Sequence, residues 1–600
     1  MQPFSKKTKI IFGITAAIAI LMVVAGYIVA YRYKAIIQKA LPAAVADATD
    51  SLYRISVKNV SINVLTRSVT LKGVHLWADS AEIARREKDS TAKPMYFEVT
   101  AQRLTVDGIM WDRLTGGEGY SCGNFSIARP VVTIYKTDTA LTIYDTVKPA
   151  PIEREFTASR VRMHNGNIRY AAAGGRDTNI LKLNHCNIEL TDWELGEESL
   201  KDTSRFFLAE SIAADIEALQ YAPPSSDYNF GLSHIHYNTD ANKLTARDLR
   251  LKLKISQEEF FKKQKEQKDI YTLDFPNVEL TGINLHRLMK KGELHINTVH
   301  LNHSKINVLM NRMLPPNTKS KVGNYPNQML QKLRLPLYVQ KVNVHNGGVT
   351  YSEIVEKTEM KGSINFNNIN GTVTNITNIP DILEQDRHCV VKLQGKFNKY
   401  TDARATFRFV LDDPKGAFSV HAQLGALQGR QINEQTKAFA RVEIKSFSMK
   451  SMAMQLAGNQ DEARGKFTMV YNNLGIRILK KPENVENGKK KKGLLTFIAN
   501  NLVLYSANPM PGEDVRKVET YVKRDELKSF FNLIWKNILQ GVQNTAIRDL
   551  EVIDWIRNNE EEAKDNQTQI REFFTRDKEK KEKRKEARKR KRDSSPRPSE

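Results

Sequence analysis

The segment from Ile55 to Leu76, ISVKNVSINVLTRSVTLKGVHL, alternates apolar and polar residues over most of its length. Because successive residues of a β-strand point to opposite faces of a sheet, this period of two predicts short strands that share one apolar face. Such a face needs a neighbour to cover it. The apolar positions are Val60, Ile62, Val69, Leu71, Val74 and Leu76.

The same pattern returns from Phe230 to Leu251, as FGLSHIHYNTDANKLTARDLRL. The offset is constant at 175 residues (62 to 237), and no gap is needed. Val60 matches Ile235, Ile62 matches Tyr237, Val69 matches Leu244, Leu71 matches Ala246, Val74 matches Leu249 and Leu76 matches Leu251.

Two further segments also occur twice, in the same order. LTVDGIMWDRL at 104–114 corresponds to VELTGINLHRL at 278–288, with an offset of 174 residues. RVRMHNGNIRY at 160–170 corresponds to KVNVHNGGVTY at 341–351, with an offset of 181 residues. Three matches in order predict a tandem duplication. A duplicated β unit of this kind is typical of an array or scaffold, and not of a compact active site.

The first predicted unit runs from about Tyr53 to Leu195, and the second from about Tyr228 to Asn378. Each contains an Asn-Gly pair, at Asn165 and at Asn346, which is typical of tight hairpin turns or of bulges. Downstream, segments such as ARATFRFVL and FARVEIKSFSM alternate again and predict a third β section.

The chain begins with a segment that predicts a membrane anchor. Residues 10–31 carry no charge, and as a helix they span roughly 33 Å, enough for a bilayer core. The segment is longer than the apolar part of a cleaved signal peptide and runs into the bulky sequence YRYK, so we expect it to be retained. We expect the N-terminus inside and the body exported.

The net charge of +24 comes from 92 Lys and Arg against 68 Asp and Glu. It permits nucleic acid, anionic lipid or another acidic surface as a partner. One third of the excess lies between Lys578 and Arg592, where eleven basic residues face three Glu. If exported, this tail is expected to meet anionic lipid headgroups. A functionless, solvated tail is the plain alternative, and nucleic acid is the less favoured partner.

No catalytic motif and no cofactor-binding motif is present: the sequence lacks the GxSxG, P-loop, HExxH and dinucleotide-binding patterns. The three cysteines are far apart, so no disulfide framework is indicated. Several histidines fall on predicted strands, and we expect them to be exposed side chains and not metal ligands. A metal site needs converging ligands with carboxylate or thiolate support. The histidines are His234, His236, His295, His300 and His303. We therefore predict no catalytic residue, no metal, no cofactor and no enzyme activity.

The sequence near the end, SFFNLIWKNILQGVQNTAIR from Ser529 to Arg548, predicts an amphipathic helix. Such a helix either lies on a membrane or caps the open end of the sheet and hides its unpaired edge. The predicted layout is a cytoplasmic tail (1–9), an anchor (10–31), a linker helix (32–52), a first β unit (53–227), a second β unit (228–389), a third β section (390–481), a helical cap region (482–559) and a disordered basic tail (560–600).

Three features resemble the AsmA-like superfamily of bacterial envelope proteins, in the form found in Bacteroidetes. They are the single anchor followed by strands ending at Val69 to Leu76, the recurrent strand–NG–strand unit, and the terminal segments LAGNQDEARGKFTMVYNNLGIRILKK and SFFNLIWKNILQGV. The resemblance covers most of residues 10–542 at the level of pattern, and the basic tail departs from it. It implies an inner-membrane anchor and a long, curved, hydrophobic β-groove in the periplasm. It also implies a role in phospholipid movement toward the outer membrane and in envelope integrity.

The sequence and the resemblance together predict a mainly β protein with an elongated, curved antiparallel sheet of about 20–25 strands, roughly 100–120 Å long. The expected partners are phospholipids, the inner membrane through residues 10–31, and an outer-membrane or envelope protein. Two other interpretations stay open: an envelope scaffold of β-sandwich domains without lipid, and a cytosolic body that binds nucleic acid. The residues expected to line the groove are Val60, Ile62, Val69, Leu71, Val74, Leu76, Ile235, Tyr237, Leu244 and Leu249.

Overall fold

A computed structural model of the chain describes residues 34–63, 66–89, 95–110, 119–136, 155–171, 179–199, 202, 204–355, 361–479 and 504–548. The predicted anchor at residues 10–31 and the predicted basic tail lie outside these residues. Within them, no helix combines the length and the apolar character that crossing a membrane requires.

The described part of the chain is mainly β, and all of its 22 strands belong to one sheet. Their bounds follow the chain: β1 (Tyr53–Asn63), β2 (Ser68–Ala78), β3 (Met95–Asp107), β4 (Tyr120–Ala128), β5 (Val131–Lys136), β6 (Phe156–Ala171), β7 (Asn179–Leu195), β8 (Ser211–Tyr221), β9 (Tyr228–Asn238), β10 (Lys243–Leu253), β11 (Ile270–Ile283), β12 (Leu294–Asn302), β13 (Lys305–Asn311), β14 (Leu337–Ile354), β15 (Lys361–Thr377), β16 (His388–Phe397), β17 (Thr401–Val410), β18 (Phe418–Leu424), β19 (Leu427–Gln428), β20 (Val442–Gly458), β21 (Glu462–Ile478) and β22 (Lys517–Lys523).

Apart from three pairs of end-to-end strands, each strand pairs with the strands that neighbour it in sequence, so the sheet runs from β1 at one end to β22 at the other. In three places two short strands lie end to end along one neighbour: β4 with β5, β12 with β13, and β18 with β19. The described strands therefore occupy nineteen side-by-side positions. At ~4.8 Å per spacing the sheet is roughly 86 Å long, shorter than the sequence estimate.

The expectation of a purely antiparallel sheet is wrong in two places. β6 runs parallel to β4 and β5, and β14 runs parallel to β12 and β13. Between β13 and β14 the chain crosses from one rim of the sheet to the other through residues 312–336, so the next strand enters in the same direction. The alternation of apolar and polar residues does not show the direction of a neighbouring strand, because it is the same in parallel and antiparallel strands.

The sheet is strongly curved, as contacts between distant strands show. The Lys528 Nζ donates to Gln267 Oε1 at 3.4 Å. Gln267 precedes β11 by three residues, and Lys528 follows β22 by five. Nine spacings separate these strands, about 43 Å in a flat sheet. The eight intervening residues are not fully extended, because the Lys528 N–H donates to the Asp525 carbonyl at 3.0 Å in a turn, so they and the two side chains fall short of that distance. The second half of the sheet therefore curls back toward β11.

The two predicted units share strand order and register. β3 to β7 and β11 to β15 have the same pairings, including the parallel step, and β8 joins the units without a break in the sheet. Equivalent pairs are Val106–Phe125 and Leu280–Val299, Val99–Val132 and Leu273–Ile306, and Phe125–Val161 and Val299–Val342.

A row of residues with left-handed backbone crosses the sheet from strand to strand, and we call it the crease. Crease residues on adjacent strands lie side by side. The pairing of Ala128 with His164 places Arg129 beside Asn165, and the pairing of Asn302 with His345 places His303 beside Asn346. The crease consists of Gly73, Arg129, Asn165, His185, His234, Asp248, His303, Asn346 and Asn368, all with φ between 45° and 62°.

In β2 the crease shifts the alternation of buried residues by one position. Leu71 and Val74 are three residues apart, yet both are buried in the same apolar cluster, because Gly73 lies between them with φ 62°. At Asn165-Gly166 and Asn346-Gly347 the crease coincides with register shifts between neighbouring strands, and such bulges bend a strand and increase its twist. The crease is therefore a local source of the curvature that the contact between Gln267 and Lys528 reveals.

The two Asn-Gly pairs form bulges within long strands, not hairpin turns. The Asn165 N–H donates to Asn187 Oδ1 at 2.9 Å, and the Asn346 N–H donates to Asn370 Oδ1 at 3.1 Å. On the other side, the carbonyls of His164 and His345 accept the N–H groups of the crease residues Arg129 and His303. Asn and His adopt the left-handed region more readily than most residues, which explains their recurrence here.

Most helices connect consecutive strands along the chain, and the first and last helices lie at the two ends of the sheet. Leu41 and Val45 of the N-terminal helix are buried against the first unit, and Phe260 and Phe261 are buried against Ile270 and Leu309. The helices are Lys34–Ala48, Ser80–Lys88, Gln257–Lys263, Leu285–Lys291, Pro326–Gln331, Pro380–Leu383, Asn433–Ala440 and Phe530–Ala546, with a 3-10 turn at Gly429–Gln431.

We predict that Asn346→Val lowers thermal stability more than Asn346→Gly. A β-branched side chain in left-handed backbone costs roughly 1–2 kcal/mol, whereas glycine adopts this region without a steric cost. The control is Asn343→Val on the same strand, outside the crease, where valine suits extended backbone. Thermal unfolding monitored by circular dichroism measures the midpoints. Equal losses at positions 343 and 346 would contradict the role of the crease.

Candidate functional site

The predicted groove residues of the first unit are packed inside the protein. Val60, Val69, Leu71 and Leu76 are each 1% exposed, Val74 is 3% exposed, and Ile62 is half-buried. They belong to one cluster with residues of β3 to β8 and of the N-terminal helix. The first-unit face is therefore filled by the chain's own side chains.

The equivalent face of the second unit is more open. Ile235 is buried, but Tyr237, Leu244 and Leu249 are only half-buried. We call the half-buried apolar residues that surround the buried Ile283, Ile296, Val339 and Val342 the second-unit face. They are Tyr237, Leu244, Leu280, Leu285, Leu294, Val299, Leu301, Leu337, Val344, Val373 and Ile376.

Smaller side chains account for part of this difference. Phe125 is fully buried in the first unit, and Val299 takes its place in the second. Trp193 lies opposite Ala158 and is buried, whereas the corresponding residue, opposite Val339, is Ile376. Two aromatic rings are thus replaced by aliphatic side chains that fill less volume.

Covering elements account for the rest. The first-unit face is packed against Leu41 and Val45 of the N-terminal helix and against the segment 206–208. The cluster of the second-unit face includes a helix residue only at Leu285. Its half-buried residues are aliphatic apart from Tyr237, so the face offers an apolar surface with little polar chemistry.

The one polar group of the second-unit face is the hydroxyl of Tyr237. It is buried and has no hydrogen-bond partner among the described residues. Burial raises the pKa of Tyr237 to about 12, so the hydroxyl stays protonated at neutral pH. An unpaired buried hydroxyl costs about 1–3 kcal/mol, so a ligand or water that accepts a hydrogen bond from it would stabilise this face.

The apolar face of the third β section is covered by the C-terminal helix (Phe530–Ala546). The Phe530 ring lies 4.8 Å from that of Phe418 and 5.0 Å from that of Tyr325, both edge to face. Tyr325 precedes the short helix of the connection between β13 and β14, so two distant segments meet here. Val373 and Ile376 pack against both this cluster and that of the second-unit face, which makes the apolar surface continuous.

The same helix blocks the free edge of the sheet. Gln540 Oε1 accepts the Tyr521 N–H at 2.7 Å, and Asn544 Nδ2 donates to the Glu519 carbonyl at 3.4 Å. Both backbone groups belong to β22, the last strand. Of the two roles that the sequence left open for this helix, these hydrogen bonds show the cap. A cap protects the protein, because an unpaired edge strand otherwise invites aggregation.

A group of polar side chains at one rim was not predicted from the sequence. Glu353 is buried and accepts hydrogen bonds from Arg312 at 2.7 Å and from Tyr351 at 2.6 Å. Asp269 lies near Glu353, and burial raises the pKa of its carboxyl. Arg312 compensates the charge of Glu353, and Lys321, whose Nζ lies 4.0 Å from Asp269 Oδ2, compensates that of Asp269. The group is therefore a structural ion-pair network.

The histidines do not form a metal site. His295 is buried, with Nε2 3.1 Å from Glu293 Oε2, and burial lowers its pKa. His234 and His303 belong to the crease, while His236 is exposed and pairs with Asp215. Among the residues that the structure describes, no three His, Cys, Asp or Glu side chains are placed to hold a metal ion.

The sequence did not single out Val299, Leu301, Val344 and Ile376 as site residues. The repeat offset was enough to find Val299 and Leu301, since it aligns them with Phe125 and Ile127. Their greater exposure could not be read from the sequence, because it depends on which residues cover them. Comparison with protein-family models finds no matching family, and no characterised protein matches the chain. The resemblance to AsmA-like proteins therefore stays a prediction.

We predict that Gly541→Leu displaces the C-terminal helix. A Cβ at Gly541 would lie 2.3 Å from Phe467 Cγ, and Phe467 is itself fully buried. Overpacking of this kind costs about 1–3 kcal/mol. The matched control is Gln543→Leu, at an exposed position of the same helix, with little expected loss. Urea unfolding and limited proteolysis measure the effect. Equal stability of the two variants would show that the helix does not pack as described.

We predict that the three cysteines resist alkylation in the folded protein at pH 8. Burial raises the pKa of Cys122 to about 12 and those of Cys186 and Cys389 to about 11, which keeps the thiols protonated. Their ordinary value is 9.0, so their burial disfavours the folded state progressively as the pH rises above 9.0. Mass spectrometry after maleimide treatment should find no adduct until guanidinium is added. Rapid native labelling at Cys122 would contradict its burial.

Proposed function

We propose that this protein binds the acyl chains of lipids on the second-unit face and so shelters or conducts them across an aqueous compartment. The observation that supports the proposal is the contrast between the two units. The apolar side chains of the repeated pattern are tightly packed in the first unit and half-exposed in the second. A half-exposed aliphatic surface is what an acyl chain would cover.

The energetics favour an apolar track over a polar pocket. Each CH₂ that leaves water contributes roughly 0.8 kcal/mol, so a long acyl chain gains most from a continuous surface. The second-unit face supplies one, because it joins the third section through Val373 and Ile376. No catalytic group is required, and the polar network at Arg312 and Glu353 is already self-compensated.

The proposal retains the location expected from the sequence. Residues 10–31 would anchor the chain in the inner membrane, and the body would lie in the periplasm. Phospholipid is then the expected ligand, and movement toward the outer membrane, with support of envelope integrity, is the expected role. The lipid is placed on the second unit, because Val60, Val69 and Leu71 have no room beside them for an acyl chain.

A second candidate is an envelope scaffold that carries no lipid. The filled first unit favours it, because its face is packed like the core of an ordinary domain. The blocked edge of β22 is also what a stable, non-aggregating scaffold needs. The two candidates differ in whether the second-unit face meets lipid in cells.

Photo-crosslinking tests this difference. Probes on the second-unit face are expected to yield phospholipid adducts several-fold more often than probes at neighbouring, equally half-buried positions that point to the other face. The test positions are Leu244, Val299 and Val344, and their controls are Thr245, His300 and Asn343.

Mass spectrometry of the crosslinked protein identifies the adducts. Adducts at test and control positions in equal amounts, or protein adducts alone at the test positions, would favour the scaffold. A probe at Val60 is expected to give no lipid adduct, since that side chain is only 1% exposed.

A further inference from the structure

The C-terminal helix packs on the third β section through one side, which we call the inner side. Its residues follow one another at helical spacings of three or four, so they share one face of the helix. They include Phe530, Leu533, Ile534, Asn537, Thr545 and Ala546. Most are apolar, but Asn537 and Thr545 are polar, and each is 0% exposed. The inner side therefore buries two polar side chains against an apolar cluster.

These two polar side chains are bonded to the helix itself and not to the sheet. Asn537 Nδ2 donates to the Leu533 carbonyl at 2.9 Å, and Thr545 Oγ1 donates to the Gly541 carbonyl at 2.7 Å. Asn537 Oδ1 is buried and has no hydrogen-bond partner among the described residues. Movement of the helix off the sheet would break neither hydrogen bond, and it would let Asn537 Oδ1 accept one from water.

Unpaired buried polar atoms are concentrated in this part of the protein. Among the residues that the structure describes, eleven side-chain nitrogen and oxygen atoms are buried without a hydrogen-bond partner, and five of them belong to residues 504–548. Besides Asn537 Oδ1 they are Arg516 Nε, Thr520 Oγ1, and Nε and Nη1 of Arg524. Such atoms have given up water without gaining a partner. They weaken the attachment of the helix and of the neighbouring β22, which favours local opening there.

The face beneath the helix is built from adaptable side chains. Met449, Met454 and Met469 are buried in the same cluster as Phe530 and Leu533. Methionine is unbranched and flexible, so a surface rich in it fits occupants of different shape. This face is also continuous with the second-unit face, because Val373 and Ile376 pack against both clusters.

We propose that the C-terminal helix is a displaceable lid over a second lipid-binding surface, the apolar face of the third β section. Acyl chains that extend from the second-unit face take the place of the inner side of the helix. The exchange keeps the face covered, because one apolar occupant replaces another. Gln540 and Asn544 bond the helix to the edge of β22 alone, so they hold it beside the sheet when its inner side leaves.

A permanent cap would not need the polar inner side. An apolar residue at position 537 would pack against the cluster without an unpaired oxygen, and a fully buried asparagine is uncommon unless it is fully hydrogen-bonded. The lid rests on the proposed function, since its ligand is the lipid of the second-unit face. It adds to that function a second surface and a control on access to it.

Maleimide labelling of the full chain tests the lid. Leu533→Cys places a thiol on the inner side, where Leu533 is 1% exposed. Native Cys122, buried in the filled first unit, is the control within the same molecule. The full chain is held in phosphatidylcholine nanodiscs at pH 8. Labelling is followed by mass spectrometry with and without dihexanoylphosphatidylcholine, a soluble phospholipid, kept below its micelle concentration.

We expect the phospholipid to speed labelling at position 533 severalfold and to leave Cys122 unlabelled. In the Leu533→Cys background, Asn537→Leu should slow labelling severalfold, because leucine has a similar branched shape and leaves no unpaired oxygen on the inner side. The matched control is Gln543→Leu, at an exposed position of the same helix, which should not change the rate.

A photo-crosslinking probe at Leu244, on the second-unit face, separates failure of the lid from failure of the proposed function. Lipid adducts at position 244 with no effect of phospholipid on labelling at position 533 would overturn the lid and leave the function standing. No adduct at position 244 would overturn both. An equal rise in labelling at Cys122 would show general loosening and contradict the lid, as would an unchanged or faster rate in Asn537→Leu.

Discussion

A sheet of one layer has to cover its own apolar face, and this constraint governs the protein. The described strands form a single sheet, with no second sheet to pack against. Apolar cover comes from curvature and from helices at the two ends. The crease contributes to the curvature, because left-handed residues lie at the same level on several strands and bend them at the same place. Where curvature and helices do not suffice, the face remains partly open.

The duplication makes this constraint visible within one chain. Two copies of the same strand register carry different side chains at a few positions, such as Phe125 against Val299 and Trp193 against Ile376. The copy with the larger side chains and the N-terminal helix is a filled core. The other copy keeps a half-exposed aliphatic face. The same pattern thus supplies stability in one unit and, in our proposal, a binding surface in the next.

The sequence predicted the mainly β fold, the repeated register and the C-terminal helix, because each depends on local periodicity or on self-similarity. It did not predict the parallel steps at β6 and β14, since alternation does not encode the direction of a neighbouring strand. The crease was visible only as recurring Asn, His and Asp residues within strands. The difference in exposure between the equivalent residues Val69 and Leu244 could not be predicted, because burial depends on residues distant in sequence.

In our proposal the second-unit face, and not the first-unit face, holds lipid. The most direct measurement is the amount of phospholipid that co-purifies with the full chain and with the variant V299D/L301D, with circular dichroism to establish that both are folded. We expect stoichiometric lipid on the natural protein and a large loss in the variant, since carboxylates on this face repel acyl chains. Lipid absent from the natural protein, or retained in full by the folded variant, would contradict it.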